Sequence, residues 1–387
     1  MKKINQQPKN CKEARLKDVC ELEYGKKTDQ GEKNYLEIGD IDIENKSYNI
    51  INKEKGTVTG AIKVPKNTLL ISTVRPTRGA ITITKDEISV SGAFCRIKLK
   101  NKYLYYVLNQ DKFFKYLGFC STGSTYPTCK DENILDYKFL YAENTEEQKK
   151  IAEILGSVDE NIEKTEQIIL KTEELKKGLM QKFFSEKGKV KREKLGQISN
   201  ITSSKRILRS EYVKNGIPFY RSKEIIEKVK GKKHDVIYYI SLERFLEFKE
   251  KFGVPQIGDI LITAVGTIGV IYLVDEKKFY FKDGNLIWLK NISNLIDKLY
   301  LKYYLNSEIF QRQILENSIG SSQKALTIEK LEKINLPILN LQEQKKIAEI
   351  LSAVDDKIDI YKQIKNKLTE LKKGLMQDLL SGKVRVN

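Results

Sequence analysis

E-Q-K-K-I-A-E-I-L, Glu147 to Leu155, is written again without change at Glu343 to Leu351. Each copy runs on through Val-Asp into a second shared run, L-K-K-G-L-M-Q, at Leu175 to Gln181 and at Leu371 to Gln377. About 25 of the 41 positions aligned from Glu147 and Glu343 are identical. The chain therefore carries an internal repeat, and its offset of 196 is close to half of the 387 residues.

Both copies read as long helices. Asn144 with Glu147, and Asn340 with Glu343, have capping-box spacing: the Asn accepts from an early N–H and the Glu reaches back to the cap. Apolar residues then recur at three- and four-residue steps, through Ile151, Ile154, Leu155, Val158, Ile162, Ile168, Ile169, Leu175 and Leu179 in one copy. The other has Ile347, Ile350, Leu351, Val354, Ile358, Ile364, Leu371 and Leu375. A stripe this narrow with Lys and Glu on the other faces predicts a coiled-coil seam. A helix of roughly 38 residues is about 57 Å long, and two of them with a domain between can pair antiparallel. Thr165, Thr172 and Tyr361 are odd seam positions suited to fixing register, and Gly178 and Gly374 are expected to mark a bend or a fraying end.

The rest of each half has one order. In the first, A-R-L-K-D-V from Ala14 and Y-L-E-I-G-D-I-D-I (Tyr35 to Ile43) predict strands separated by turns. N-T-L-L-I-S-T-V-R-P-T-R-G-A-I-T-I (Asn67 to Ile83) predicts two strands around a basic tip, and Lys102 to Leu117 an aromatic amphipathic helix before the polar loop Ser121 to Thr128. In the second, Glu193 to Ile198, Ile217 to Ile225, Gly258 to Ile271, Asp283 to Lys290 and Leu299 to Asn306 follow in matching places, ending in the loop Ile319 to Thr327. The expected fold is α+β, with two similar globular domains separated by two long antiparallel helices in a pseudo-two-fold repeat. The boundaries read as 1–143 and 187–339 for the domains, 144–186 and 340–387 for the helical segments.

With 70 Lys+Arg against 52 Asp+Glu, the net charge of +18 points to a polyanionic partner, most often nucleic acid. No apolar run approaches a membrane span and Met1 to Asn10 lacks the apolar core of a secretory signal, which predicts a cytoplasmic protein. The five cysteines, Cys11, Cys20, Cys95, Cys120 and Cys129, contain no C-x-x-C pair and read as reduced and structural.

Enzyme signatures are missing from the sequence. It has no phosphate-binding Gly-rich loop, no Gly-rich dinucleotide turn and no F-x-G-x-G or [DN]-P-P-[YF] run of a nucleic-acid methyltransferase. The single histidine, His234, argues against Ser/His or Cys/His catalysis and His-based metal sites. One alternative is a stand-alone Mg²⁺-dependent nuclease using Asp259, Asp275 and Lys277, whose order suits a carboxylate-plus-lysine metal site. Thr68 stands where Asp259 has its counterpart, which counts against it. Another is a coiled-coil scaffold with no DNA role, which would lack the steep salt dependence of phosphate neutralisation.

The polar candidates lie on matching loops. Arg75, Thr77 and Arg78 on one tip answer Gly266 and Thr267 on the other. Ser124, Thr125, Tyr126 and Lys130 answer Ser321, Ser322, Gln323 and Lys324, and Arg206, Arg209, Arg221 and Lys223 add charge early in the second domain. Arg forks and Gln amides read base edges, whereas Lys, Ser, Thr and Tyr commonly hold phosphates, so the set points to DNA.

Two divergent domains, each followed by E-Q-K-K-I-A-E-I-L…V-D…L-K-K-G-L-M-Q, resemble the specificity subunit of a type I restriction-modification system. G-D-I-L-I-T-A-V-G-T-I-G (Gly258 to Gly269) and the G-S-S-Q loop (Gly320 to Gln323) are similar to what target recognition domains of that family carry. The first domain departs, with P-K-N-T-L-L-I-S-T-V-R-P-T-R-G (Pro65 to Gly79) in place of the Gly-rich version. The resemblance implies a non-catalytic subunit that reads a bipartite, asymmetric site on double-stranded DNA. It implies helices that act as spacer and as platform for two methyltransferase subunits, which bring S-adenosylmethionine, with restriction subunits that use ATP and Mg²⁺. No cofactor is then expected on this chain.

Overall fold

T-L-L-I-S, Thr68–Ser72, is buried at every position. The computed structural model, which describes residues 11–28, 35–48, 60–185, 190–231, 238–275, 278–317 and 325–386, shows why. Leu69 and Ile71 face a core shared with helices, and Leu70 faces the interior of a second sheet. The two-residue alternation of a strand sends its side chains both ways, and both ways are covered. Ile260–Thr263 repeats the arrangement, with Ile260 and Ile262 in one core and Leu261 in the other.

The chain forms two units, residues 1–166 with 363–387, and 167–362, so the division falls inside both long helices. In the first unit an antiparallel four-stranded sheet runs Glu21–Leu22, Phe94–Lys98, Thr68–Ser72, Ile81–Ile83. A second runs Lys26–Lys27, Ile62–Val64, Ile88–Val90, Tyr35–Leu36, and its last pair is parallel. Cys11–Arg15 with Lys138–Ala142 closes the domain beside the helix start.

The second unit has the same plan. Asn200–Thr202, Leu286–Lys290, Ile260–Thr263 and Ile271–Leu273 form one sheet. Tyr212–Val213, Tyr239–Ile240, Ile217–Tyr220 and Tyr280–Phe281 form the other, again with a parallel last pair, and Arg192–Lys194 with Asn335–Pro337 closes the domain.

Several local readings change. Lys102 to Leu117 is two helices, Tyr103–Leu108 and Asp111–Cys120, because Gln110 is extended and its side-chain amide donates to the Val107 carbonyl at 3.0 Å. All six residues of the first are buried, so it is a core helix and not an amphipathic one. Helical turns also replace expected strand at Leu16–Val19, Leu195–Ile198 and Ser222–Val229.

The repeated segments are helices of 40 residues each, Thr145–Phe184 and Leu341–Leu380. Asn144 Oδ1 accepts from the Glu146 and Glu147 amides and Asn340 Oδ1 from the Glu343 amide, as the cap spacing predicts. The glutamates act otherwise: buried Glu147 pairs with Arg385, and Glu343 accepts from the Asn340 side chain. Within the first unit Asp159 meets Lys372 at 2.6 Å and Glu166 meets Lys365 at 2.9 Å, so the helix segments run antiparallel. Within the second, Glu173 meets Lys362 at 2.9 Å and Lys176 meets Asp355 at 2.5 Å, with the same sense.

The seam is narrower than its sequence stripe. Ile151, Leu155, Ile347 and Leu351 are buried in the domain cores, whereas Ile168, Leu175, Ile350, Ile364 and Leu371 are exposed. Thr165 and Thr172 are buried, and their hydroxyls donate to the carbonyls of Asn161 and Ile168 on their own helix, both at 2.7 Å. Both helices continue past Gly178 and Gly374 to Phe184 and Leu380.

Candidate nucleic-acid interface

In the first unit two loops far apart in sequence become one surface. The Arg75 amide donates to the Pro127 carbonyl at 2.7 Å and the Cys129 amide to the Thr73 carbonyl at 2.9 Å, around a bridge between Val74 and Thr128. Thr122 and Thr128 exchange backbone bonds at 2.9 Å and close the second loop. Pro76–Arg78 form a 3-10 turn whose Thr77 sits so close to Gly118 that a Cβ there would lie 2.8 Å from it. Lys46 Nζ donates to the Gly79 carbonyl at 2.7 Å from the other side.

On this platform Arg75 has φ 47° and ψ 51°, and its guanidinium carbon lies 4.3 Å from the centroid of the Tyr126 ring, itself 64% exposed. Thr77, Arg78, Ser124, Thr125 and Lys130 are exposed around them. The structure thus brings the first-domain candidates together, apart from Lys130, which begins the helix Asp131–Leu135 at the edge of the loop.

The second unit keeps the framework and changes the side chains. Val265 bridges Ala325, and the Leu326 amide donates to the Ala264 carbonyl at 2.9 Å. One residue beyond the bridging valine, where the first unit has Arg75, stands Gly266 with φ 76°. Thr267 is exposed, its carbonyl accepting from the Thr263 hydroxyl at 2.5 Å. Ser321, Ser322, Gln323 and Lys324 lie outside the described residues, as does His234.

Arg206 and Arg209 are exposed, but Arg221 is engaged internally. It forks onto buried Glu224 at 3.1 and 2.5 Å and stacks 4.6 Å from Tyr238, and the hydrogen bond to Glu224 raises its pKa further. Its Nε and Nη2 are committed to Glu224 at the start of Ser222–Val229. Lys223 is paired at 3.8 Å with Glu227. The buried cysteine thiols are pushed up by burial, Cys129 to about 11, which keeps them unreactive at neutral pH.

The carboxylates of the nuclease alternative are structural. Asp259 is buried, and its Oδ2 accepts from Trp288 Nε1 and from the Gln256 amide, both at 2.9 Å. Asp275 accepts from the Tyr272 hydroxyl at 2.5 Å, and Lys277 lies outside the described residues. Burial raises the Asp259 pKa although both hydrogen bonds oppose it. An acid with a raised folded-state pKa withdraws stability as pH climbs from the ordinary aspartate value of about 3.9 through the raised one. Asp259→Asn keeps an acceptor for both donors and cannot ionise. It is expected to match or exceed wild-type stability at pH 7 and lose that advantage at pH 4, instead of costing the about 1–3 kcal/mol of a lost buried partner; melting curves at the two pH values check this.

Below the loops, the polar identities in the repeat prove to be joints between domain and helix. Gln148 Nε2 donates to the Ala142 carbonyl at 2.8 Å and its Oε1 accepts from Asn101 at 3.4 Å. Gln344, fully buried, accepts from the Asp297 amide at 2.7 Å and donates to the carbonyls of Leu339 and Leu295 at 2.8 and 3.0 Å. The Tyr106 hydroxyl donates to Asp159 at 2.8 Å, and Asp159 pairs with Lys372. In the second unit Tyr303 donates to Asp355 at the same distance, and Asp355 pairs with Lys176. Sequence reasoning passed over these residues, although identity of buried-type Gln and Asp at fixed places in two copies was the available signal.

Against known proteins, the family model described as type I restriction modification DNA specificity domain matches residues 8–174 and again 187–370. The type I restriction enzyme MjaVIII specificity subunit of Methanocaldococcus jannaschii is 29% identical over 377 residues, covering 91% of this chain and 85% of that one. A putative type I restriction enzyme specificity subunit of Haemophilus influenzae is 35% identical over 177 residues, 46% of this chain and 41% of its own. The solved S subunit of a type I restriction-modification system from M. genitalium shares the fold, with TM-score 0.63, 18% identity and 98% of each chain covered. A second solved chain, from work on complex assembly and conformational transition of the type I system, gives TM-score 0.58 at 18% identity over 98% of this chain and all of that one.

Proposed function

Because the chain belongs to the type I restriction-modification DNA specificity family, we propose that it reads a bipartite, asymmetric site on double-stranded DNA, one half through each domain. It is a specificity subunit, a recognition component without catalysis of its own. The observation that carries the two-part reading is the matching bridge in the two units, Val74 to Thr128 and Val265 to Ala325, followed by Arg75 in one and by Gly266 in the other. Matching bridges with differing side chains beside them would give each half a different preference.

The domains in this reading are residues 1–143 and 187–339, and the segments 144–186 and 340–387 serve as spacer and docking platform for two methyltransferase subunits and, through them, restriction subunits. Exposed Leu170, Leu175 and Ile350 in the second unit, and Ile364 and Leu371 in the first, support that role, since large apolar side chains on a charged helix suit a partner surface. S-adenosylmethionine, ATP and Mg²⁺ belong to those partners, and the complex works in the cytoplasm. Among the described residues no helix is long and apolar enough to cross a membrane.

The test is to replace residues 14–143 by the corresponding domain of a relative, co-express the chain with its methyltransferase partner, and map methylated adenines. One half of the methylated sequence should change and the other stay. An unaltered motif, or adenine methylation that persists in full without the gene, would sink the proposal.

A further inference from the structure

We infer that Arg75, braced on the ring of Tyr126, is the residue with which the first domain reads a guanine. The inference rests on the proposed two-part reading and assigns one specificity-determining contact within it.

Three observations converge on this side chain. The first is backbone conformation. Arg75 sits in the left-handed region, at φ 47°, and the matching position of the second unit is Gly266 at φ 76°. This loop geometry is one that glycine adopts without strain and arginine does not. A side chain kept where the fold would be relieved by its loss points to function.

The second is the state of the guanidinium. It lies over the exposed Tyr126 ring at 4.3 Å, and among the described residues no carboxylate pairs with it. Stacking on a ring face holds the guanidinium plane and leaves its in-plane N–H fork unused. Arg221 is the internal comparison: it too stacks on a tyrosine, Tyr238, but Glu224 fills its fork, so it closes a structural contact. Among the described residues, Arg75 has the brace without the carboxylate.

The third is rigidity of the mount. The Arg75 amide is tied to Pro127 at 2.7 Å, Pro76 follows it, and the turn behind packs on Gly118. A fixed, planar, bidentate donor is the group that matches O6 and N7 of guanine in the major groove, whereas a phosphate is held as well by a mobile lysine.

The experiment co-expresses the full chain with its methyltransferase partner and maps methylated adenines for wild type, R75G, R75K and Y126A. R75G and R75K are expected to relax one guanine position, in one half of the motif, with discrimination there falling about 10- to 100-fold. The other half should not change, and Y126A should relax the same position by less. The melting temperature of R75G should not fall, since glycine suits that backbone. A motif that stays unchanged while methylation weakens evenly would make Arg75 a phosphate contact and overturn the inference; so would a lowered melting temperature of R75G with an unchanged motif. If wild type yields a gene-dependent two-part motif that R75G and R75K leave as it is, the assignment of Arg75 fails alone. If wild type yields no such motif, the proposed function fails with it.

Discussion

Gln344→Leu is expected to destabilise the second unit by about 3–5 kcal/mol. Leucine nearly fills the volume, so the loss is one of hydrogen bonds. The Asp297 amide and the carbonyls of Leu295 and Leu339 lose a partner whose own side chain is fully buried. Each orphaned buried group costs about 1–3 kcal/mol, and three around one side chain add less than fully. Gln148→Leu should cost only about 1–2 kcal/mol, since the equivalent glutamine keeps one strong bond, to Ala142, and a long one from Asn101. Hydrogen exchange supplies the local readout: protection of the Asp297 amide and the helix that follows it should fall in Gln344→Leu. Equal losses for the two substitutions, or no loss of protection at Asp297, would show that the glutamine is not the pin its bonds suggest.

How far the sequence predicted this molecule depends on the length scale of each signal. The helices were legible because Asn144 and Asn340 announce their starts and the repeat fixes their extent. The strand pairs around the loops were legible as apolar runs bounded by turns, as in Thr68–Ser72 and Ile260–Thr263. The split at Gln110 was not, because one extended residue leaves the three- and four-residue apolar spacing on either side intact. The width of the seam was misread for a related reason: periodicity places Ile168 and Leu371 on a stripe but does not say what covers it. Among the candidate site residues, Arg75 and Tyr126 are candidates by residue type and loop position, and only the fold joins them. Arg221 has the same residue type, and nothing before the structure indicates that Glu224 and Tyr238 occupy it.

Removing Asp159 or Asp355 is expected to cost about 2–3 kcal/mol each, below the about 3–5 kcal/mol of a fully buried broken pair because both sites retain partial exposure. In the first unit Asp159→Ala strands Lys372, whose side chain is 19% exposed, and takes the acceptor from the Tyr106 hydroxyl. In the second, Asp355→Ala does the same to Lys176 and Tyr303. Each aspartate joins a core helix of its domain to both long helix segments of its unit. In the first unit that core helix leads through Asp111–Cys120 to the turn behind Arg75, so the joint bears on how the Arg75 loop is held. Double-mutant cycles separate this from generic charge loss. Asp159 with Tyr106, and Asp355 with Tyr303, should couple by about 0.5–3 kcal/mol, whereas Asp159 with Asp355 should be additive, since the two share no partner. Asp159→Asn, which retains an acceptor for the phenol, should recover part of the loss. The outer pair Glu173–Lys362, about half exposed on each side, should contribute at most about 1 kcal/mol and fade with salt. If the aspartate losses fade with salt as fully as that surface pair, the triads are surface charge and the Arg75 loop takes its orientation from apolar packing alone.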